Sequence, residues 1–276
     1  MNGARILMAI AFLSLVISSQ SMGKLSSQEL ADLADEAGSL FRRANELAQT
    51  DAGKAQELYE QTILRYKKII DEGRIANAGL YYNIGNAYLL KGDVGWAILN
   101  YRRAQQFPIS DTTLAGNLKK NLQSALEKRR DQVTLRTRRR VLHTLFFWHY
   151  DFGVKTRFIL ACCGWALALG AGSYRLWRRR GVMWLWLVVV GLVLLLGMGG
   201  SVAVDLHRAK TQRQGVIVVD EVVARQGDGD NYPVSFKEPL HSGTEFELKE
   251  QRLRWLRIEL ASGDEAWIPA AAAEMI

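Results

Sequence analysis

Four histidines, His143, His149, His207 and His241, and two cysteines, Cys162 and Cys163, are the residues of this 276-residue chain best suited to acid–base, nucleophilic or metal chemistry. Their spacing serves none of these. The histidines are scattered without a ligand interval, and His143 and His149 fall among aromatic residues. The cysteines are adjacent in an apolar run with no His or carboxylate beside them, so they read as small apolar packing residues. HExxH, CxxC, GxSxG and phosphate-loop patterns are absent. The turn from Gly227 to Asp230 is acidic enough to invite calcium, yet it lacks the ligand run and closing glutamate of a calcium loop and reads better as a hairpin turn. Carboxylates pair only as surface charge, so no catalytic residue, metal or cofactor is expected.

Charge distribution says more. The formal net charge is +8, but between Lys119 and Arg180 fifteen Lys and Arg residues face only Glu127, Asp131 and Asp151, and from Thr211 onward the balance is acidic. Basic residues concentrated beside apolar runs point to phospholipid headgroups, and no nucleic-acid motif accompanies them. Nucleic acid is therefore not an expected partner.

The elements that would carry these residues fall in order. Residues 1–21 have the form of a secretory signal peptide: Arg5 precedes the apolar stretch from Ile6 to Ile17, and Ser19 and Ser21 offer a cleavage site, an uncleaved anchor being the alternative. From Leu30 to about Val133 apolar residues recur at three- and four-residue spacing, and no proline occurs before Pro108. The clearest helix pair runs from Ala76 to Gln106. Tyr81, Ile84, Gly85 and Tyr88 share one face of its first helix, a turn follows at Lys91-Gly92-Asp93, and Ala97, Tyr101 and Ala104 share one face of its second. Small residues at Gly85, Ala97 and Ala104 permit close approach, and the tyrosines fill the space beside them. These positions resemble a tetratricopeptide repeat, with Pro108 about one residue earlier than the family pattern. One pair cannot bury its own face, so Leu30–Ala48, Lys54–Ile70 and Thr112–Leu126 are expected to stack with it as a row of about five helices over 24–133, against the alternative of a generic helical bundle.

Residues 134–152 combine Arg138, Arg139 and Arg140 with Phe146, Phe147 and Trp148, a composition suited to a membrane interface. A solvated basic helix end beside a core aromatic cluster is the plainer reading. Apolar runs between Arg157 and Arg175 and between Gly181 and Asp205 are each long enough to cross a bilayer, forming a transmembrane helical hairpin over 156–204. Arg175, Arg178, Arg179 and Arg180 in the short connection place the turn in the cytoplasm and both flanking domains outside.

After Arg213 the texture changes to short β-branched segments broken by Gly, Asp, Asn and Pro. Gly215–Val223, Glu245–Leu248 and Trp255–Leu260 read as strands, the last with Leu256, Ile258 and Leu260 on a buried face. The stretches VVARQGDGDNYPV, WLRIEL and GDEAWIP, carrying Tyr232, Pro233, Trp255, Trp267 and Pro269, resemble a bacterial SH3-like barrel over 211–276. The whole arrangement of repeat, basic–aromatic segment, hairpin and barrel resembles the E-type proteins of bacterial aerotolerance (Bat) operons. That resemblance implies an inner-membrane component, with both soluble domains periplasmic, working with von Willebrand factor A-domain Bat proteins and a MoxR-type ATPase. The expected function is a scaffold for protein–protein interaction, which the resemblance implies serves envelope stress tolerance or aerotolerance. The rival reading is an envelope sensor whose SH3-like domain binds a cell-wall peptide.

Overall fold

The computed structural model describes residues 25–131, 146–178, 181–211 and 213–276. The expected signal peptide, Arg138, Arg139, Arg140, Arg179 and Arg180 lie outside the described residues. Contacts divide the chain into two compact units, which meet in sequence between Lys128 and Arg129.

The first unit is helical. Its described residues form α1 (Ser27–Leu47), α2 (Ala52–Asp71), α3 (Ala78–Lys91), α4 (Val94–Gln105) and α5 (Thr112–Lys128). Their starts are written in the sequence. Ser26 Oγ accepts from the Glu29 amide while the Glu29 carboxylate accepts from the Ser26 amide, closing a capping box, and Asp51 and Asn77 accept from the amides of Lys54 and Leu80. Helix α3 ends at Gly92, whose φ of 101° is open to glycine at little steric cost.

Each helix packs on the next in sequence, and α5 also returns to α3. Alanines sit at the contacts: Ala37 and Ala44 of α1, Ala55 of α2, and Ala97 and Ala104 of α4 are all buried. Larger side chains fill between them, among them Tyr59, Ile63, Ile84, Ile98 and Tyr101. The structure thus has the five helices that the periodicity predicts, with ends within a few residues of the expected ones.

Among the described residues the second unit holds a short helix α6 (Phe147–Asp151), two long helices α7 (Val154–Arg178) and α8 (Val182–Thr211), and seven strands. Helices α7 and α8 contain stretches, Val154–Trp177 and Val182–Leu206, that are long and apolar enough to cross a membrane. They pack antiparallel through small residues. Gly164 and Gly191 lie opposite each other: a Cβ on Gly164 would stand 2.7 Å from the Gly191 carbonyl, and one on Gly191 would stand 2.6 Å from that of Gly164. Ala161, Gly164, Ala168 and Ala171 form the buried stripe of α7, while Trp177, Trp186 and Leu196 point outward. Cys162 and Cys163 are also exposed, which corrects the expectation that they pack inside. The buried stripe passes through Ala161 and Gly164, and adjacent helical positions between them turn away from α8.

The strands β1 (Arg213–Ile217), β4 (Glu245–Arg252), β5 (Trp255–Leu260), β6 (Glu265–Pro269) and β7 (Ala273–Met275) form one antiparallel sheet in the order β6-β5-β4-β1-β7. Strands β2 (Glu221–Val222) and β3 (Leu240–His241) form a second ladder. The predicted strand over Gly215–Val223 is therefore two. The chain leaves the sheet after Ile217 so that Glu221 and Val222 can pair with β3, and both pieces looked continuous because Ile217 and Val222 face the same core. Strand β5 alternates as expected, with Leu256, Ile258 and Leu260 buried.

Candidate functional site at the open end of the hairpin

Arg157 is charged yet only 3% exposed. Burying a guanidinium without partners is costly, so its neighbours must supply acceptors. Helix α8 brings Ser201 and Asp205, one turn apart, against it: Arg157 Nη1 donates to Ser201 Oγ at 2.6 Å and Nη2 donates to Asp205 Oδ2 at 2.6 Å. From α6, His149 Nδ1 stands 2.6 Å from Ser201 Oγ and 3.0 Å from Arg157 Nη1, and its Nε2 lies 3.5 Å from Asp205 Oδ1. Arg157 Nε is buried without a hydrogen-bond partner. Four polar residues from three helices thus close the end of the hairpin opposite its turn.

Ser, His and Asp are also the residue types of a hydrolytic triad. Here Ser201 lies within α8, where the backbone amides around it are engaged in helical hydrogen bonds and offer no oxyanion hole. What the cluster does chemically is neutralise a buried charge and fix the register of α7, α8 and α6. At the other end, Arg175 Nη1 donates to the Gly181 carbonyl at 2.9 Å, and Tyr174 packs on Trp184 with ring centroids 4.2 Å apart.

The residues singled out in the sequence fall as follows. Gly85 faces the Tyr101 ring, where an added Cβ would lie 2.6 Å from it. Tyr101 is fully buried, and its hydroxyl donates to Asn86 Oδ1 at 2.8 Å; Asn121 of α5 donates to the same oxygen at 2.9 Å and to the Tyr82 hydroxyl at 3.2 Å. Burial pushes the Tyr101 hydroxyl far above its ordinary value. Tyr88 stacks on Trp96 at 5.5 Å with Lys67 over both rings, and Tyr81 stacks on Phe107. Ile84, Ala97 and Ala104 are buried between the same helices.

Phe146 and Phe147 each meet Trp148 edge-on with centroids 5.5 Å apart, and both phenylalanines are about half exposed. Trp267 is buried under the Arg252 guanidinium at 5.1 Å, and Arg225 bonds its backbone in both directions. Arg225 Nη1 also donates to the Tyr232 carbonyl, while the carbonyl of Pro233 accepts from the Gln226 amide. Trp255 pairs with Pro269. Arg178 closes α7.

Two arrangements were missed in the sequence. The Arg157 cluster was signalled only by an arginine and an aspartate bounding the two apolar runs at the same open end. The second joins residues far apart in the chain: Asp131 accepts from the His241 amide, the His241 ring Nδ1 and the Thr244 hydroxyl, each at 2.7 Å. Burial alone would push the Asp131 carboxyl up, but these bonds outweigh it and hold it below its ordinary value. Beside it Arg129 reaches Glu245 at 3.4 Å. Among the described residues no three His, Cys, Asp or Glu side chains gather as metal ligands. No family model, curated protein or solved structure matches this chain.

Proposed function

We propose that the chain is a non-catalytic, inner-membrane-anchored scaffold of the bacterial envelope, carrying two soluble interaction modules on one transmembrane hairpin. The antiparallel register of α7 and α8 carries this reading. Arg157 meets Asp205, Gly164 meets Gly191 and Tyr174 meets Trp184, so the chain enters and leaves the hairpin at the same end. Both flanking modules then lie on one side of the bilayer, and the arginine-bearing turn on the other is cytoplasmic by the positive-inside tendency. The outward apolar side chains of both spans support the membrane reading, since a surface of this kind in water would be an aggregation liability.

On this reading α3 and α4 form a tetratricopeptide repeat, supported by Gly85 against Tyr101 and by the neighbour-on-neighbour packing of α1 to α5. Residues 211–276 form an SH3-like barrel, supported by the β6-β5-β4-β1-β7 sheet and the bridge from Arg225 to Trp267. Tethering both modules to one hairpin raises their effective concentration for a shared partner. The resemblance to E-type Bat proteins nominates von Willebrand factor A-domain membrane proteins and a MoxR-type ATPase system as those partners.

Affinity capture on the full chain tests this. Membrane proteins retained by the intact chain and lost when residues 25–128 are deleted support the scaffold. Specific binding of purified 211–276 to peptidoglycan fragments, with no protein retained by the intact chain, would favour the sensor reading.

A further inference from the structure

Leu253, at the turn between β4 and β5, is completely exposed and is held at a φ of 44°. Folding alone favours glycine or asparagine at such a position, and an apolar side chain there gains nothing from the rest of the protein. Arg252 and Arg254 flank it. Arg252 is engaged by Glu250 at 2.6 Å and Asp228 at 3.2 Å, whereas among the described residues neither Arg254 nor Arg213, at the start of β1, has an ion-pair partner.

Register sets the end of the sheet at which this tip lies. Strand β1 opens at Arg213, directly after α8 ends at Thr211, and Arg213 pairs with Leu248. Strand β4 runs antiparallel to β1 and continues past that pair to Arg252. The tip therefore overshoots the end of the sheet at which the chain arrives from α8, by about 13 Å at ~3.3 Å per residue. Helix α8 outlasts its apolar stretch, which ends at Leu206, by only about 8 Å at ~1.5 Å per residue.

We propose that the Arg252-Leu253-Arg254 tip seats on the anionic phospholipid surface of the bilayer that α7 and α8 cross, with Leu253 entering the acyl boundary and Arg254 and Arg213 meeting headgroup phosphates. The inference rests on the membrane-crossing reading of the hairpin and adds a second contact, which sets the orientation of the β-domain on the surface. An exposed leucine between cations fits lipid, because the bilayer offers phosphate and an apolar layer within one side-chain length of each other.

The test uses the full chain, with Cys162→Ala and Cys163→Ala, in nanodiscs of mixed phosphatidylglycerol and phosphatidylcholine. A nitroxide is placed singly through Leu253→Cys, through Asp264→Cys at the opposite end of β5, or through Leu196→Cys in the apolar stretch of α8. Power saturation with oxygen and with a nickel chelate reads depth. The Leu253 label is expected to favour oxygen as a lipid-exposed site does, and the Asp264 label to favour nickel. Arg254→Gln should reduce the seated fraction relative to the unseated one roughly fivefold, the equivalent of ~1 kcal/mol per surface arginine. A Leu196 label in lipid with a Leu253 label reading like Asp264 would overturn this proposal and leave the hairpin standing. Protection of Leu253 from both reagents would overturn it in favour of a contact with protein. A Leu196 label open to nickel would instead remove the membrane crossing on which the proposal depends.

Discussion

At Gly85 a missing side chain is what lets α3 and α4 meet, because the Tyr101 ring occupies the place where a Cβ would go. Gly85→Leu is expected to destabilise the first unit by about 1–3 kcal/mol through overpacking, measured as a lower denaturation midpoint of residues 25–128. Leu253 is the opposite case, a side chain the fold does not use. Leu253→Gly should raise the stability of the β-domain by about 1 kcal/mol by relieving the left-handed backbone, read from a higher unfolding midpoint. Asp131 couples a residue to pH. Its carboxyl is held below the ordinary aspartate value of about 4, so the stability it contributes is complete above that pH and fades as pH falls through the lowered folded value. Protection of the His241 amide from hydrogen exchange should follow that course. Asp131→Ala should lose the protection at neutral pH as well, at a cost of about 1–3 kcal/mol for the unsatisfied donors.

Among the elements, those whose pattern is local were legible in the sequence. Helices α1 to α5 follow from three- and four-residue spacing, and β5 follows from its alternation. What was not legible depends on pairing between distant segments. The break between β1 and β2 is imposed by β3, and the grip of His241 and Thr244 on Asp131 spans more than a hundred residues, so neither leaves a periodic trace. The Arg157 cluster is intermediate: Arg157 and Asp205 bound the apolar runs visibly, but their meeting requires the antiparallel register. That register rests on Gly164 and Gly191. Gly191→Leu should part the helices and lower the thermal midpoint of the full chain in detergent, whereas Gly197→Leu, with open space around it, should leave the midpoint nearly unchanged.

For the whole molecule, the proposed scaffold depends on geometry that no single residue supplies. Two modules act together on one partner only if the hairpin delivers both to the same face of the membrane, and the closed end of the hairpin, where α7 carries Arg175 and Arg178, must then lie on the other. The proposed likeness to E-type Bat proteins belongs to this scale alone, because only the order of the two modules around a hairpin is distinctive. The most direct measurement is reporter fusion in a bacterial host, with alkaline phosphatase joined after Val133, after Arg180 and after Ile276. The account predicts activity at Val133 and Ile276 and none at Arg180. Activity at Val133 with none at Ile276 would mean a single crossing and would contradict the hairpin scaffold.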